Sequence, residues 1–314
     1  MPDHDSSVTL LLPAAARLGR QRLSAACAKR LGRGDPVPAG EAGRRAQLLR
    51  HFPLRGEGWP IAALSRQAEL GDAAGAAWLR ADPVWLRPDI NGVRLLAHGD
   101  ALGLARADSD ELLSALRPLF VDAGFMLDAP HPARWYLRLP AETRLPVFSD
   151  PGDALGEDIF EHLDISPEAR RWRTLASEAQ VTLHHHPLNA RRAARGQSPV
   201  NALWFWGGGR LPAAASGQGT TGFSGDDTAR ALASAGGRGA DLPERFAGEP
   251  GVYDLEGTRD LAWIESGWLA PALDALRAGR IAALHLDDAD GWRFCLRRGQ
   301  ALRIWRAPLA WPAQ

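Results

Sequence analysis

The pattern of apolar and polar positions predicts an α/β protein. Val8-Thr9-Leu10-Leu11-Leu12-Pro13 is a short, nearly unbroken apolar run that reads as a buried strand. A helix over residues 14–31 follows, closed by Gly32-Arg33-Gly34-Asp35-Pro36. Residues 33–60 are rich in Gly, Pro and charge and read as a long loop carrying a short helix over 41–50. Residues 61–70 read as a helix, and 78–86 and 93–97 as paired strands about a turn at Pro88-Asp89-Ile90-Asn91-Gly92. Leu112, Leu113, Leu116 and Phe120 recur at helical spacing within 109–123, with Gly124 as the stop. A strand at 135–139 completes this half. Residues 143–163 carry turn signals and little periodicity, which predicts an N-terminal α/β region over 1–150 and a C-terminal α/β domain over 151–314.

Beyond this stretch, Ser166-Pro167-Glu168 has the composition of a helix start, and Trp172, Leu175, Ala176, Ala179 and Leu183 fall on one helical face. Pro187 ends that helix, and a second short one is expected over 189–195 between Asn189 and Gly196. Residues 199–206 are apolar on both faces, as in a strand covered on both sides, and run into Gly207-Gly208-Gly209-Arg210. Loops are expected over 217–225 and 236–251, a helix over 226–235, and an apolar element with a helix bearing Trp263 and Trp268 over 255–276. Strands are expected at 281–286, 292–296 and 302–305, the first two joined by an Asp-Gly turn. No solenoid or propeller repeat is present. The fold class expected is α/β with mixed sheets flanked by helices.

Composition narrows the function. Thirty-seven basic residues against 37 acidic ones give zero formal charge, so the field that draws a protein to nucleic acid is missing. No stretch approaches the roughly 20 apolar residues a membrane helix needs, and Met1-Pro2-Asp3-His4-Asp5 bears acids where a signal peptide is basic. A cytoplasmic protein with no nucleic-acid or membrane partner is expected. Cys27 and Cys295 are too few for a disulfide framework.

Charge is uneven all the same. Between Arg170 and Arg210 there are seven arginines, three histidines and one acid, Glu178. Such an excess suits a phosphate or carboxylate, which guanidinium forks bind in two-point contacts; a solvated basic face is the alternative. A helix start at Asn189 would add unpaired N–H groups, and Gly207-Gly208-Gly209 after a strand would let main chain approach a ligand, or simply turn. His184, His185 and His186 cannot converge on one metal ion, because neighbours on a helix point about 100° apart. His184 or His186 singly suits anion donation or proton transfer. Asp287-Asp288-Ala289-Asp290 places three carboxylates in four residues, which fits either Mg²⁺ or Ca²⁺ or an Asp-Gly hairpin. Phosphate-loop and nucleophile-elbow motifs are missing.

The run from His186 to Pro212, with Asn189, Arg192, Gly196, Pro199-Val200-Asn201, Leu203-Trp204-Phe205-Trp206-Gly207 and Gly209-Arg210, resembles a signature of the archaeal-type cofactor-independent phosphoglycerate mutases of the alkaline phosphatase superfamily. It is closer still to the RpfE-type regulatory proteins. Weaker similarity extends back over 84–139 and forward to about Asp290, roughly two-thirds of the chain. The resemblance implies a ligand-binding half carried by Asn189, Arg192, Asn201, Trp204 and Trp206, with Arg134 facing them; His184, His186 and Arg210 complete the expected ligand set. It also implies an Asp after the first strand and a C-terminal Asp/His set for two divalent ions. Here the first strand runs into Leu12-Pro13-Ala14, and the histidine expected four residues beyond Asp290 is Phe294. The expectation is a regulatory protein that binds a small phosphorylated or carboxylated metabolite without two-metal catalysis. The alternatives are an active Mn²⁺- or Mg²⁺-dependent mutase or phosphohydrolase with a metal site rebuilt on Asp287, Asp288 or Asp290, and a protein-interaction module or homodimer.

Overall fold

The computed structural model describes residues 6–54, 58–90, 92–212 and 220–312. Its strands are β1 (Ser7–Leu12), β2 (Asp35–Val37), β3 (Ala77–Asp89), β4 (Gly92–His98), β5 (Met126–His131), β6 (Arg134–Leu139), β7 (Ala202–Arg210), β8 (Thr221–Phe223), β9 (Arg238–Ala240), β10 (Gly251–Asp254), β11 (Ala283–Asp288) and β12 (Arg293–Arg297). With helices interleaved, this is the mixed α/β class expected. The chain forms two compact units: Met1–Arg55 joined with Ala213–Gln314, and Gly56–Pro212 inserted between them. Residue 150 lies inside the inserted unit. The turn-rich segment there is pinned to β4, with Gly156 N–H donating to Leu95 O (2.8 Å) and isolated bridges Arg94–Asp158 and Leu95–Leu155.

The discontinuous unit is built on a seven-stranded sheet of order β2-β12-β11-β1-β10-β8-β9. β1 runs parallel to both β10 and β11, β10 to β8, and β8 to β9; β12 and β2 add antiparallel strands at the other edge. A central parallel strand is covered on both faces, which is why Val8, Leu10, Leu11 and Leu12 of β1 are apolar and buried. Leu10, Leu12, Tyr253, Trp268, Leu284 and Leu286 belong to its core. The helix expected over 14–31 is two, Ala15–Leu18 and Ala25–Leu31. Gly19 takes φ 58° between them, and Ser24 caps the second by accepting from Cys27 N–H. β10 falls between the loop expected over 236–251 and the apolar element expected from 255; four residues are too few to show a period. Residues 298–302 form a 3₁₀ turn in place of the expected strand over 302–305, and Leu302, Ile304 and Trp305 are exposed.

In the inserted unit β3 pairs with β4, β6 and β7, and β6 with β5, all antiparallel. β5 escapes sequence reading because Pro130 and two polar positions break its alternation. Helix Arg106–Asp122 buries Leu112, Leu113, Leu116 and Phe120, the stripe expected. Helix Arg170–His184 buries Trp172, Leu175, Ala179 and Leu183. It starts later than Ser166-Pro167-Glu168 suggests, because Ser166 closes a separate turn by accepting from Ala169 N–H. Asn91 of the expected β3–β4 turn and residues 217–219 of the expected loop lie outside the described residues. Among the described residues no helix is long and apolar enough to cross a membrane.

Candidate functional site

Most of the polar groups of the 186–210 motif are engaged inside the inserted unit. Helix Pro187–Ala194 begins two residues before Asn189, with Pro187 in its first turn and His186 as N-cap, whose Nδ1 accepts from Leu188 N–H (3.2 Å). Asn189 is therefore within the helix. Its side chain joins three main-chain groups: Nδ2 donates to Leu183 O (2.8 Å) and Val200 O (2.9 Å), and Oδ1 accepts from Val200 N–H (2.8 Å). Asn201 continues the β7 ladder past its end, donating to Leu86 O (2.7 Å) and accepting from Leu86 N–H (2.8 Å). Arg192 is fully buried and donates to Ser198 O (2.8 Å), Leu102 O (2.5 Å) and Asp108 Oδ2 (3.2 Å). A buried guanidinium left without these partners would be severely destabilising. Arg192 is thus closed to an anion from solvent.

Trp204 donates to Ser149 O (2.9 Å), fixing the loop before Asp150. Trp206 donates to Asp82 Oδ2 (2.7 Å), a carboxylate that also accepts from Arg80 Nε and Nη2 (2.9 and 2.7 Å) and from Trp135 N–H (3.1 Å). The Arg80 guanidinium lies over the Tyr136 and Trp206 rings, 5.2 and 5.1 Å from their centroids. Burial pushes the Tyr136 phenol up to about 12, and its hydroxyl oxygen lies within hydrogen-bond distance of Ser65 Oγ (3.1 Å) and Glu69 Oε2 (3.0 Å). Arg134 pairs with Glu69 (2.7 Å) rather than facing Arg192. The three glycines lie on β7 and serve close packing: a Cβ on Gly208 would stand 2.5 Å from Leu145 Cδ1, and one on Gly209 2.7 Å from Pro60 Cβ. They also carry the register shift opposite Trp78 and Arg80. His184 and Arg210 remain exposed. None of the nine expected ligand residues lines the broad cleft of about 590 Å³ between Arg117, Phe125 and Arg138 in this unit.

A different polar cluster occupies the carboxyl ends of the parallel strands in the discontinuous unit, the edge at which open α/β sheets bind ligands. Helix Arg44–His51 aims one face at it. Gln47, fully buried, bridges β1 and β11 by donating to Leu12 O (3.0 Å) and Asp287 O (2.7 Å). Arg50 holds Asp287 in a two-point contact (Nε 3.0 Å, Nη2 2.6 Å), and His51 Nε2 meets the same carboxylate at 2.8 Å. At the end of β10, Arg44 Nη2 lies 2.5 Å from Asp254 Oδ2 and 4.0 Å from Asp226. Ser224, just after β8, donates to Asp254 Oδ2 (2.6 Å) and accepts from Asp226 N–H (2.8 Å). Burial works to raise the Asp287 pKa, but the hydrogen bonds from His51 and Arg50 outweigh it and hold the carboxyl below its ordinary range.

The acids expected as metal candidates do not form a ligand set. Asp287 is engaged by Arg50 and His51; Asp288, on the opposite strand face, accepts from Trp311 Nε1 (3.0 Å), Trp292 N–H (2.9 Å) and Asp290 N–H (3.1 Å); Asp290 accepts from Ala15 N–H (2.7 Å). Among the described residues no three His, Cys, Asp or Glu side chains group as metal ligands. Three guanidinium groups, of Arg44, Arg50 and Arg293, and the His51 imidazole stand instead beside Asp254 and Asp287, so these residues do not fit a two-metal centre. Sequence reading missed Arg44, Gln47, Arg50 and His51, although their i, i+3, i+6 and i+7 spacing on an expected helix was the available signal. Ser224 and Asp254 carried none, each being a single polar residue at the end of a short strand.

No protein-family profile matches the chain. A probable 2,3-bisphosphoglycerate-independent phosphoglycerate mutase from Geobacter sulfurreducens is 28% identical over 238 residues, 74% of this chain and 56% of that protein. The corresponding mutase of Methanothrix thermoacetophila is 29% identical over 150 residues, 46% of this chain and 35% of that protein. The chain thus matches about half or less of the length of these relatives. The solved structure of the PH0037 protein from Pyrococcus horikoshii superposes with a TM-score of 0.52 at 13% identity, covering 93% of this chain and 87% of that one. Together these likenesses support a phosphoglycerate-mutase-like fold.

Proposed function

We propose that this chain is a regulatory phosphoglycerate-mutase-like protein, akin to the RpfE type, that binds a small phosphorylated or carboxylated metabolite in the cytoplasm without two-metal catalysis. The observation that carries this reading is the pairing of Asp254 and Asp287 with Arg44 and with Arg50 and His51 at the strand ends. Cationic side chains fixed there offer two-point contacts to an oxyanion. Arg44 is partly exposed and has Asp226 as a loose second partner at 4.0 Å, so a ligand oxyanion would take the place of Asp226. Ser224 adds a hydroxyl beside it. In this reading Asn189, Arg192, Asn201, Trp204 and Trp206 hold the inserted unit in shape and do not touch the ligand.

Calorimetric titration with 3-phosphoglycerate, in EDTA and separately in Mn²⁺, tests this. The expected result is saturable binding in EDTA, weakened about tenfold, or about 1.4 kcal/mol, by Arg44→Gln and unchanged by Arg210→Gln. Binding absent under both conditions would sink the proposal. Mn²⁺-dependent turnover abolished by Asp287→Asn would replace it with the active-enzyme reading.

A further inference from the structure

The segment after β12 is folded with its polar side chains inward and its large apolar ones outward. Gln300 is buried and donates to Asp35 Oδ2 (2.5 Å), its Oε1 accepts from Arg297 N–H (2.7 Å), and Arg33 Nη1 donates to Ala301 O (2.6 Å). Arg303 and Arg306 both pair with Asp35, at 2.9 and 2.6 Å. With the turn tied down in this way, Leu302, Ile304 and Trp305 stand 80, 69 and 76% exposed. Single apolar side chains on a surface are ordinary, but three large ones within four residues make a patch of the kind that marks an interaction site.

The charge around the patch selects what covers it. In a chain of zero formal charge, residues 291–314 hold five arginines (293, 297, 298, 303 and 306) and no acid. Arg303 and Arg306 share Asp35, and Arg293 lies 3.6 Å from Asp287. Arg297 and Arg298 are exposed and form no ion pair among the described residues. Apolar side chains that include a tryptophan, flanked by unpaired guanidinium groups, suit the boundary between acyl chains and anionic head groups, where ring and cation are both satisfied. A protein partner fits less well. At such exposure the three side chains stand out from the turn rather than line a groove, and they are far fewer than the roughly 20–30 residues on each side of a stable protein interface. Resting on a bilayer surface needs no spanning helix, so the lack of one among the described residues does not bear on it.

We propose that Leu302, Ile304 and Trp305 dock this chain reversibly on an anionic lipid bilayer, the three side chains entering the head-group layer while Arg297 and Arg298 meet lipid phosphates. Docking of this kind does not depend on the strand-end cluster or on its ligand.

Co-sedimentation of the full chain with vesicles tests the proposal, phosphatidylcholine alone being set against phosphatidylcholine mixed with phosphatidylglycerol. Saturable binding is expected on the mixed vesicles, weaker in high salt and at least about tenfold weaker on phosphatidylcholine alone. The triple variant Leu302→Ser/Ile304→Ser/Trp305→Ser should bind mixed vesicles at least about tenfold more weakly, with an unchanged circular dichroism spectrum because these side chains are exposed. Arg297→Gln/Arg298→Gln should weaken the same binding about tenfold and flatten its salt dependence, and Arg44→Gln should leave it unchanged. Brominated acyl chains should quench part of the tryptophan fluorescence, and that part should vanish in Trp305→Phe. Absence of saturable binding to the mixed vesicles, equal binding by the triple variant, equal binding to both vesicle compositions, or loss of binding in Arg44→Gln would each overturn the proposal. So would light scattering that shows a dimer which the triple variant splits, since a second copy would then cover the patch.

Discussion

In the motif region of the inserted unit, Asn189, Arg192 and Asn201 direct most of their donors to main-chain carbonyls, whereas at the strand ends of the other unit Arg44, Arg50 and His51 direct theirs chiefly to carboxylates. The difference matters because a carbonyl is a neutral, fixed acceptor whose loss leaves the backbone strained and the donor bare. A side-chain carboxylate is an anion on a movable arm, and another oxyanion can stand in for it. Residues of the first kind are held in place by folding. Those of the second kind leave a cationic group that folding alone does not consume. The more recognisable pattern in the sequence therefore belongs to the less accessible chemistry.

The largest effect that would break this comparison is on Arg192. Arg192→Ala removes a fully buried cation from Asp108 and two carbonyls, and should cost roughly 3–5 kcal/mol in urea denaturation. Unaltered stability with lost ligand binding would place Arg192 at a ligand and reverse the assignment.

Asp287 comes next. Its carboxyl titrates below its ordinary value in the folded protein, so it contributes stability at pH above the unfolded value of about 3.9, and that contribution is lost as pH falls through the depressed folded value. Asp287→Asn should therefore destabilise by about 1.5–3 kcal/mol at pH 7, with the gap to wild type narrowing as pH falls below the unfolded value in thermal unfolding. A gap that does not narrow at all as pH falls would mean that packing, not the contacts with Arg50 and His51, accounts for the loss. The smallest effects belong to His184→Ala and Arg210→Gln, both exposed, whose midpoints should stay within about 1 °C of wild type. A larger shift would show that Arg210, or the edge-on contact of His184 with the His185 ring, contributes to stability.

The chain's own pattern determined the α/β class, the buried strand at Val8–Leu12, the apolar faces of the helices bearing Leu112 to Phe120 and Trp172 to Leu183, and the β3–β4 pairing. Those features follow from local periodicity, and burial merely uses it. It also marked the motif from His186 to Arg210, because tryptophans, asparagines and glycines at fixed spacing are unusual. What it could not decide was whether each polar group there met a ligand or a carbonyl of its own fold. Leu86, Leu102 and Ser149 lie far from their partners Asn201, Arg192 and Trp204 in sequence, and only the tertiary fold brings their carbonyls within hydrogen-bond range. Tertiary structure likewise made the strand-end cluster, by bringing the helix of Arg44 and Arg50 to Asp254 and Asp287, more than two hundred residues on. It also split the chain around an insertion and made residue 150 part of a loop pinned to β4, because long-range pairing and not local composition decides which segments share a core.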